Sequence, residues 1–323
     1  MYRKISTILI PTQIAAGIIV YMLYRVWGDL LTALQHNVPA YLGIALVICL
    51  AAWWLRGWRY HQILLGLNYR IKVAVTTACV FVSQTVNLVV PARLGDFVRI
   101  FILKHDYKTT YSEGISSIVV ERVFDVITVA LLGAVSIFFV LHVPGWFYTA
   151  IIVPLAIGFA FFVFLIFVGK LTTENKYFRY ILTMLDEIKR ASLTLRSLVV
   201  LSITSLVIWM LDVLVCNSVV AMFEQKIPFA VIVLAIVIGN LVKAVPITPG
   251  GIGTYELAVA ATFEIAGVAP AEAFLIAVID HLIKNLVTLA GGIISIYYLG
   301  DWVIPTLKSA ISEKLNGGKT PDS

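Results

Sequence analysis

The stretch PITPGGIGTYE, residues 246–256, interrupts a chain that is otherwise apolar over most of its length. Two prolines and three glycines in eleven residues break any helix. The flanking runs, FAVIVLAIVIGNLVKAV (229–245) and LAVAATFEIAGV (257–268), are each too short to cross a bilayer alone. Irregular backbone inside hydrocarbon leaves amide groups unpaired, so it survives only where it lines protein or a wet cavity. The break is therefore expected to face something polar. A helix restarting near Gly253 would aim its N-terminal amides and positive dipole end inward, which suits a phosphate or a carboxylate. A dinucleotide fingerprint is excluded, because Gly251 and Gly253 lack the third glycine and no βαβ context surrounds them.

Composition sets the class. Of 323 residues, 60% are hydrophobic and 13% charged, beyond the range of soluble domains, so a polytopic membrane protein is expected. The formal charge of +6 fits basic loops against anionic lipid rather than a nucleic-acid partner. The start, MYRKISTILIPTQIAAGIIVYMLY, reads as an uncleaved first span. Cys49, Cys79 and Cys216 sit in apolar segments without CxxC spacing, so neither a disulfide framework nor a metal site is expected. No cofactor motif is present.

The expected architecture is all-α. Six full transmembrane helices are placed at roughly 5–24, 40–58, 115–141, 148–169, 198–222 and 272–299. Two further apolar regions, 73–103 and 229–267, are interrupted and read as re-entrant, broken-helix hairpins. Residues 170–197 mix charge with Leu, Ile, Tyr and Phe and suggest an amphipathic cytoplasmic connector. Residues 1–316 thus form a single integral membrane domain, followed by a disordered tail at 317–323. With hairpins that enter and leave on one side, seventeen Lys and Arg fall on one face and only Arg25 and Lys226 on the other. That bias puts both termini in the cytoplasm of a cell (plasma or inner) membrane protein. Trp53, Trp54, Trp58 and Tyr60, beside Arg56 and Arg59, read as an interfacial belt.

The two hairpins rhyme and run in opposite directions. NLV at 87–89 precedes the break at Pro91, and NLV at 240–242 precedes the break at Pro246. Twenty-five residues separate Asp96 from Glu121, and twenty-four separate Glu256 from Asp280. Such pairs are the signature of an inverted repeat whose broken helices meet near the midplane.

Intramembrane charge supplies the chemistry, since such residues pair or line a pathway. Arg93, Asp96 and Arg99 lie at the first break; Lys243, Gly250, Gly251, Gly253, Tyr255 and Glu256 lie at the second. Glu121 and Asp125 share a helix face, with Arg122 three residues before Asp125, and Arg93 or Arg99 is expected to supply a further cation. Asp280 with Lys284, and His281 with Asn285, form i,i+4 pairs. Asp212 has no sequence-local partner, and Asp212, Asp280, His281 and Lys284 are read either as ion pairs or as a proton-coupling set.

At these residues the chain becomes specific. NLVVPARLGDFVRIFILK (87–104), ERVFDV (121–126) and PITPGGIGTYE (246–256) resemble the lysylphosphatidylglycerol-synthase transmembrane family, also called the flippase-like domain family. The resemblance implies movement of lipids with charged head groups between leaflets. It also implies a stand-alone member without the aminoacyl-transferase domain, with Arg93, Asp96, Glu121, Arg122, Asp125 and Glu256 at motif positions. The expected function is a lipid flippase for a phospholipid or lipid-linked head group, and not an enzyme. The alternatives are a secondary transporter of a small polar solute and a membrane transferase acting on a lipid phosphate. A second copy of the chain or a lipid-modifying enzyme is the protein partner to look for.

Overall fold

The computed structural model describes residues 2–30, 32, 38–90, 94–140, 144–168, 175–245, 247–300 and 302–303, with backbone alone for 2–11. Arg93, both break prolines Pro91 and Pro246, residues 170–174 and the tail at 317–323 lie outside the described residues. The described chain is helical, with eleven α-helices and no strand. They are α1 (Tyr2–Val26), α2 (Ala40–Gly66), α3 (Val73–Val89), α4 (Gly95–Tyr107), α5 (Tyr111–Ile137), α6 (Gly145–Val168), α7 (Lys176–Ser192), α8 (Leu195–Met222), α9 (Phe229–Ala244), α10 (Thr254–Ile265) and α11 (Pro270–Leu299).

Local sequence sets several of these ends. Thr110 and Glu113 form a reciprocal capping box at the start of α5: the Glu113 amide donates to Thr110 Oγ1 at 3.1 Å, and the Thr110 amide to the Glu113 carboxylate at 2.8 Å. Thr194 caps α8 by accepting from the Ser197 amide at 3.1 Å, and Asn175 caps α7 by accepting from the Tyr177 amide at 3.0 Å. Pro270 occupies the first turn of α11.

The six expected spans fall on α1, α2, α5, α6, α8 and α11. Four of these, α2, α6, α8 and α11, are long and apolar enough by themselves to cross a membrane. The stretch of α1 with described side chains contributes a shorter apolar helix, Thr12–Val26. Helix α5 is 27 residues long but carries Glu113, Glu121, Arg122 and Asp125. Helices α6 and α9 show how burial sorts apolar sequence. Along α6 most side chains are exposed, among them Ile157, Phe159, Ile166 and Phe167, which makes it an outer wall. Residues 231–239 of α9 are buried without interruption, which puts α9 in the core.

The chain turns back at each break. At the first, Gly95 donates its amide to Asn87 Oδ1 at 2.7 Å, and Ser83 donates to Asp96 at 3.1 Å, so α4 begins against the last two turns of α3. A Cβ at Gly95 would meet the Asn87 amide nitrogen at 2.8 Å, a contact only glycine avoids. At the second break Pro249–Gly251 forms one 3₁₀ turn, and Gly250, Gly251 and Gly253 take φ of 61°, 77° and 83°. Those left-handed angles are why the stretch is PGGIG rather than any other loop. A Cβ on Gly250 would meet Leu88 Cδ2 at 2.9 Å, so the second break rests on the end of α3. The two interruptions meet.

Packing repeats between the halves. Helix α2 lies against α8, and the helix before each break packs on the charged helix of the other half: α3 on α11, and α9 on α5. Helix α7 packs chiefly on α5, where its buried Glu187 accepts from Ser112 at 2.7 Å and Ser116 at 2.8 Å.

Candidate functional site

A chamber of about 150 Å³ opens where the breaks meet. A water needs roughly 10–15 Å³ of the same space, so the chamber takes a small polar group and not merely one water. Charged or titratable side chains from five helices line it: Arg56 on α2, Glu121, Arg122 and Asp125 on α5, Asp212 on α8, Lys243 on α9, and His281 and Lys284 on α11. Gly250, Gly251 and Tyr255 complete the wall at the second break, and Gln84 and Asn87 at the first.

The acids of α5 are held by arginines from two other helices. Arg59 donates to Asp125 at 2.6 and 3.2 Å, to Glu121 at 3.4 Å and to Ser205 at 2.8 Å. Arg99 ion-pairs with Glu121 and lies 3.3 Å from Asp96, while its guanidinium carbon sits 4.8 Å from the Tyr60 ring centroid. Asp96 also accepts from Ser83, Gln84 and Asn87. Trp209 donates its indole N–H to Asp125 at 3.0 Å. Arg122 is the looser cation: it lies 3.3 Å from Asp96, 3.5 Å from Asp125 and 3.9 Å from Glu121, and keeps 26% of its side chain exposed. Arg56 meets Asp212 at 2.6 Å.

These contacts revise the reading of α2. Arg56 and Arg59 do not belong to an interfacial belt; both turn inward, and Arg59 is 1% exposed. Two buried acids one turn apart need cations, and α2 supplies one in Arg59, although its basic residues sit beside tryptophans in the sequence.

The second cluster is built on α10 and α11. Glu256 accepts from the Gly253 amide at 2.7 Å and lies 2.7 Å from His281 Nδ1; His281 Nε2 is 3.0 Å from Lys243 Nζ. An ammonium only donates, so this arrangement fits a neutral imidazole that gives Nδ1–H to Glu256 and accepts at Nε2. Tyr255 donates to Asp280 at 2.7 Å, and Lys284 is 2.8 Å from the same carboxylate. The expected His281–Asn285 pair is replaced by Glu256 and Lys243, which reach His281 from other helices.

The helix restart at Gly253 differs from expectation in one respect. Its anion is the chain's own: the Gly253 amide is taken by Glu256, and the Gly251 and Ile252 amides bond to Thr248 and Pro249 carbonyls. Gly253 itself packs against Ala15 and Ile18 of α1. Of the expected site residues, Asp96, Arg99, Glu256 and Asp280 form a second layer behind the wall, and Arg93 lies outside the described residues. Among the described residues no group of three or more His, Cys, Asp or Glu is placed to hold a metal ion.

The family model described as the lysylphosphatidylglycerol synthase TM region matches residues 8–292. The chain belongs to this family. Among relatives of this family member, Glycosyltransferase AglD of Haloferax volcanii is 30% identical over 312 residues, covering 82% of this chain and 50% of AglD. The chain thus spans about half the length of that relative. A UPF0104 membrane protein of Methanothermobacter thermautotrophicus is 25% identical over 338 residues, 92% of this chain and 95% of its own length. Another, from Methanocaldococcus jannaschii, is 26% identical over 223 residues, 66% of this chain and 93% of its own. The family member is a membrane protein. The expectation that it is not an enzyme is corrected by the first relative, whose name is that of a transferase.

Proposed function

We propose that this protein holds the phosphate-bearing head group of a membrane lipid in the chamber and takes part in transferring a group to or from that lipid. The observation that supports this reading is a mixed-sign chamber where the α3–α4 and α9–α10 breaks approach each other. Arg122, Lys243 and Lys284 offer cations to a phosphate, while Glu121, Asp125 and Asp212 offer acids to an amino or hydroxyl group nearby. His281, with its Nδ1 held by Glu256, is oriented to accept or give a proton at Nε2. The family is described by a synthase of lysylphosphatidylglycerol, a phospholipid, and AglD is named a glycosyltransferase; together these support a group-transfer role at a membrane lipid.

A second reading is passage of that head group between leaflets. The specific observation in its favour is the exchange of packing between halves, α3 on α11 and α9 on α5, which suits two opposed re-entrant hairpins. In this proposal residues 1–316 form one domain in a cell membrane with both termini cytoplasmic, the substrate-facing groups are those of the chamber and its second layer, and Gly250 and Gly251 let backbone approach the head group.

The test is reconstitution into vesicles that contain a lipid phosphate, with two readouts: transfer of a labelled sugar from a nucleotide-activated donor, and access of an impermeant quencher to a labelled lipid. The transferase reading expects labelled lipid that is lost in Arg122→Gln. Quencher access that depends on Arg122, with no labelled product, would favour passage. Neither signal, with either protein, would contradict both.

A further inference from the structure

A second cavity lies outside the chamber, at the loop end of the α2–α8 seam. It encloses about 460 Å³, against about 150 Å³ for the chamber, and is lined by Gln62, Gly66, Asn68, Arg70, Arg196 and Ser197 over an apolar floor that includes Leu201. Among the described residues no Asp or Glu lines it. This contrasts with the interior, where Arg56, Arg59, Arg99, Arg122 and Lys284 each lie within 4 Å of a carboxylate. Arg70 and Arg196 are exposed and have no such acid among the described residues. Asn68 holds φ at 70°, a left-handed turn at the exit of α2 that leads the chain to Arg70.

The position of this cavity relates it to the chamber. Gln62 lies one turn along α2 from Arg59, and Leu201 lies one turn along α8 from Ser205, to which Arg59 donates. The order along the seam is therefore cationic surface cavity, then the buried Arg59–Asp125–Ser205 layer, then the chamber with Arg56 and Asp212.

We infer that the Arg70–Arg196 cavity is a second anion site, which takes a phosphate group at the membrane surface before it reaches the chamber. Two unneutralised guanidinium groups, the Gln62 and Asn68 amides and the Ser197 hydroxyl suit the oxygens of a phosphate ester. The apolar floor suits the stem of the molecule that carries it. A lipid head group and a soluble phosphate compound share this chemistry. The inference rests on the same ligand class as the chamber reading but on different residues.

The experiment is native mass spectrometry of the delipidated full chain, titrated with dioctanoyl phosphatidic acid and, in a second arm, challenged with inorganic phosphate. The expected result is two bound lipids in the wild type: one at the surface, whose apparent affinity falls at least tenfold in Arg70→Gln/Arg196→Gln, and one in the chamber, which that variant keeps and Arg122→Gln/Lys243→Gln loses. Both arginines are exposed, so unchanged melting of the surface variant is the folding control, and at the surface site Arg70→Lys/Arg196→Lys should bind between the wild type and Arg70→Gln/Arg196→Gln. Displacement by millimolar phosphate would assign the site to a soluble phosphate compound, and resistance to it would assign a lipid head group; both support the site. Binding unchanged in Arg70→Gln/Arg196→Gln, or none in the wild type, would overturn it. Loss only in the chamber variant would overturn this inference and leave the chamber reading standing, whereas a single lipid lost only in the surface variant would support this site and count against the chamber.

Discussion

Arg59 on α2 holds Asp125 on α5 through two guanidinium nitrogens, at 2.6 and 3.2 Å, across 66 residues of sequence. The pair is buried and shares Glu121 and Ser205. Removing one partner from a buried pair leaves an uncompensated charge and typically costs about 3–5 kcal/mol. Arg59→Leu is therefore expected to lower the melting temperature of the detergent-purified protein by several degrees. Adding Asp125→Leu to it should recover most of the loss. A single variant that melts like the wild type would show that the layer is not a structural pair.

Gly95 gives a sharper test of the first hairpin. Its Cβ would strike the Asn87 amide and side chain, so Gly95→Ala should destabilise by about 1–3 kcal/mol. Gly43, inside α2, has open space around it, and Gly43→Ala should be neutral or stabilising by about 0.5–1 kcal/mol. Thermal melting of the two variants side by side checks both signs.

The two helix breaks were legible in the sequence, and most of the charge pairing was not. Glycines and prolines between runs too short to span mark a break by local chemistry alone, and Gly250, Gly251 and Gly253 indeed take left-handed angles. Asp280 and Lys284 sit one helical turn apart and lie within 2.8 Å, because their pairing is set by helix geometry. Arg56 with Asp212, 156 residues apart, is fixed only by how α2 packs on α8. No periodicity within either helix encodes that contact. The tryptophans beside Arg56 and Arg59 pointed to an interface, yet Trp53 stacks on Phe81 of α3 with centroids 4.5 Å apart and is buried.

His281 distinguishes orientation from simple packing. Glu256→Gln can still accept from the Gly253 amide but no longer offers a carboxylate to His281. Hydrogen bonds to charged groups contribute about 1.5–3 kcal/mol, so transfer or passage should fall roughly 10–100-fold. Melting should change far less than activity. An equal loss of both would reduce Glu256 to a structural cap.

The proposed opposed arrangement of the two hairpins makes a topological prediction. In a background with Cys49, Cys79 and Cys216 replaced, Asn68→Cys should react with an impermeant maleimide only from the cytoplasmic side. Ile252→Cys, at the exposed edge of the second break, should react only from the other side. Labelling of both from one side would remove the inverted arrangement.

The central claim is that a lipid head group enters the chamber between the breaks. The most direct measurement is an electron cryomicroscopy map of the full chain in nanodiscs that contain phosphatidic acid. The account expects phosphate density within hydrogen-bonding reach of Arg122 and of Lys243 or Lys284. Head-group density confined to the outer wall along α6, with the chamber empty of lipid, would contradict it.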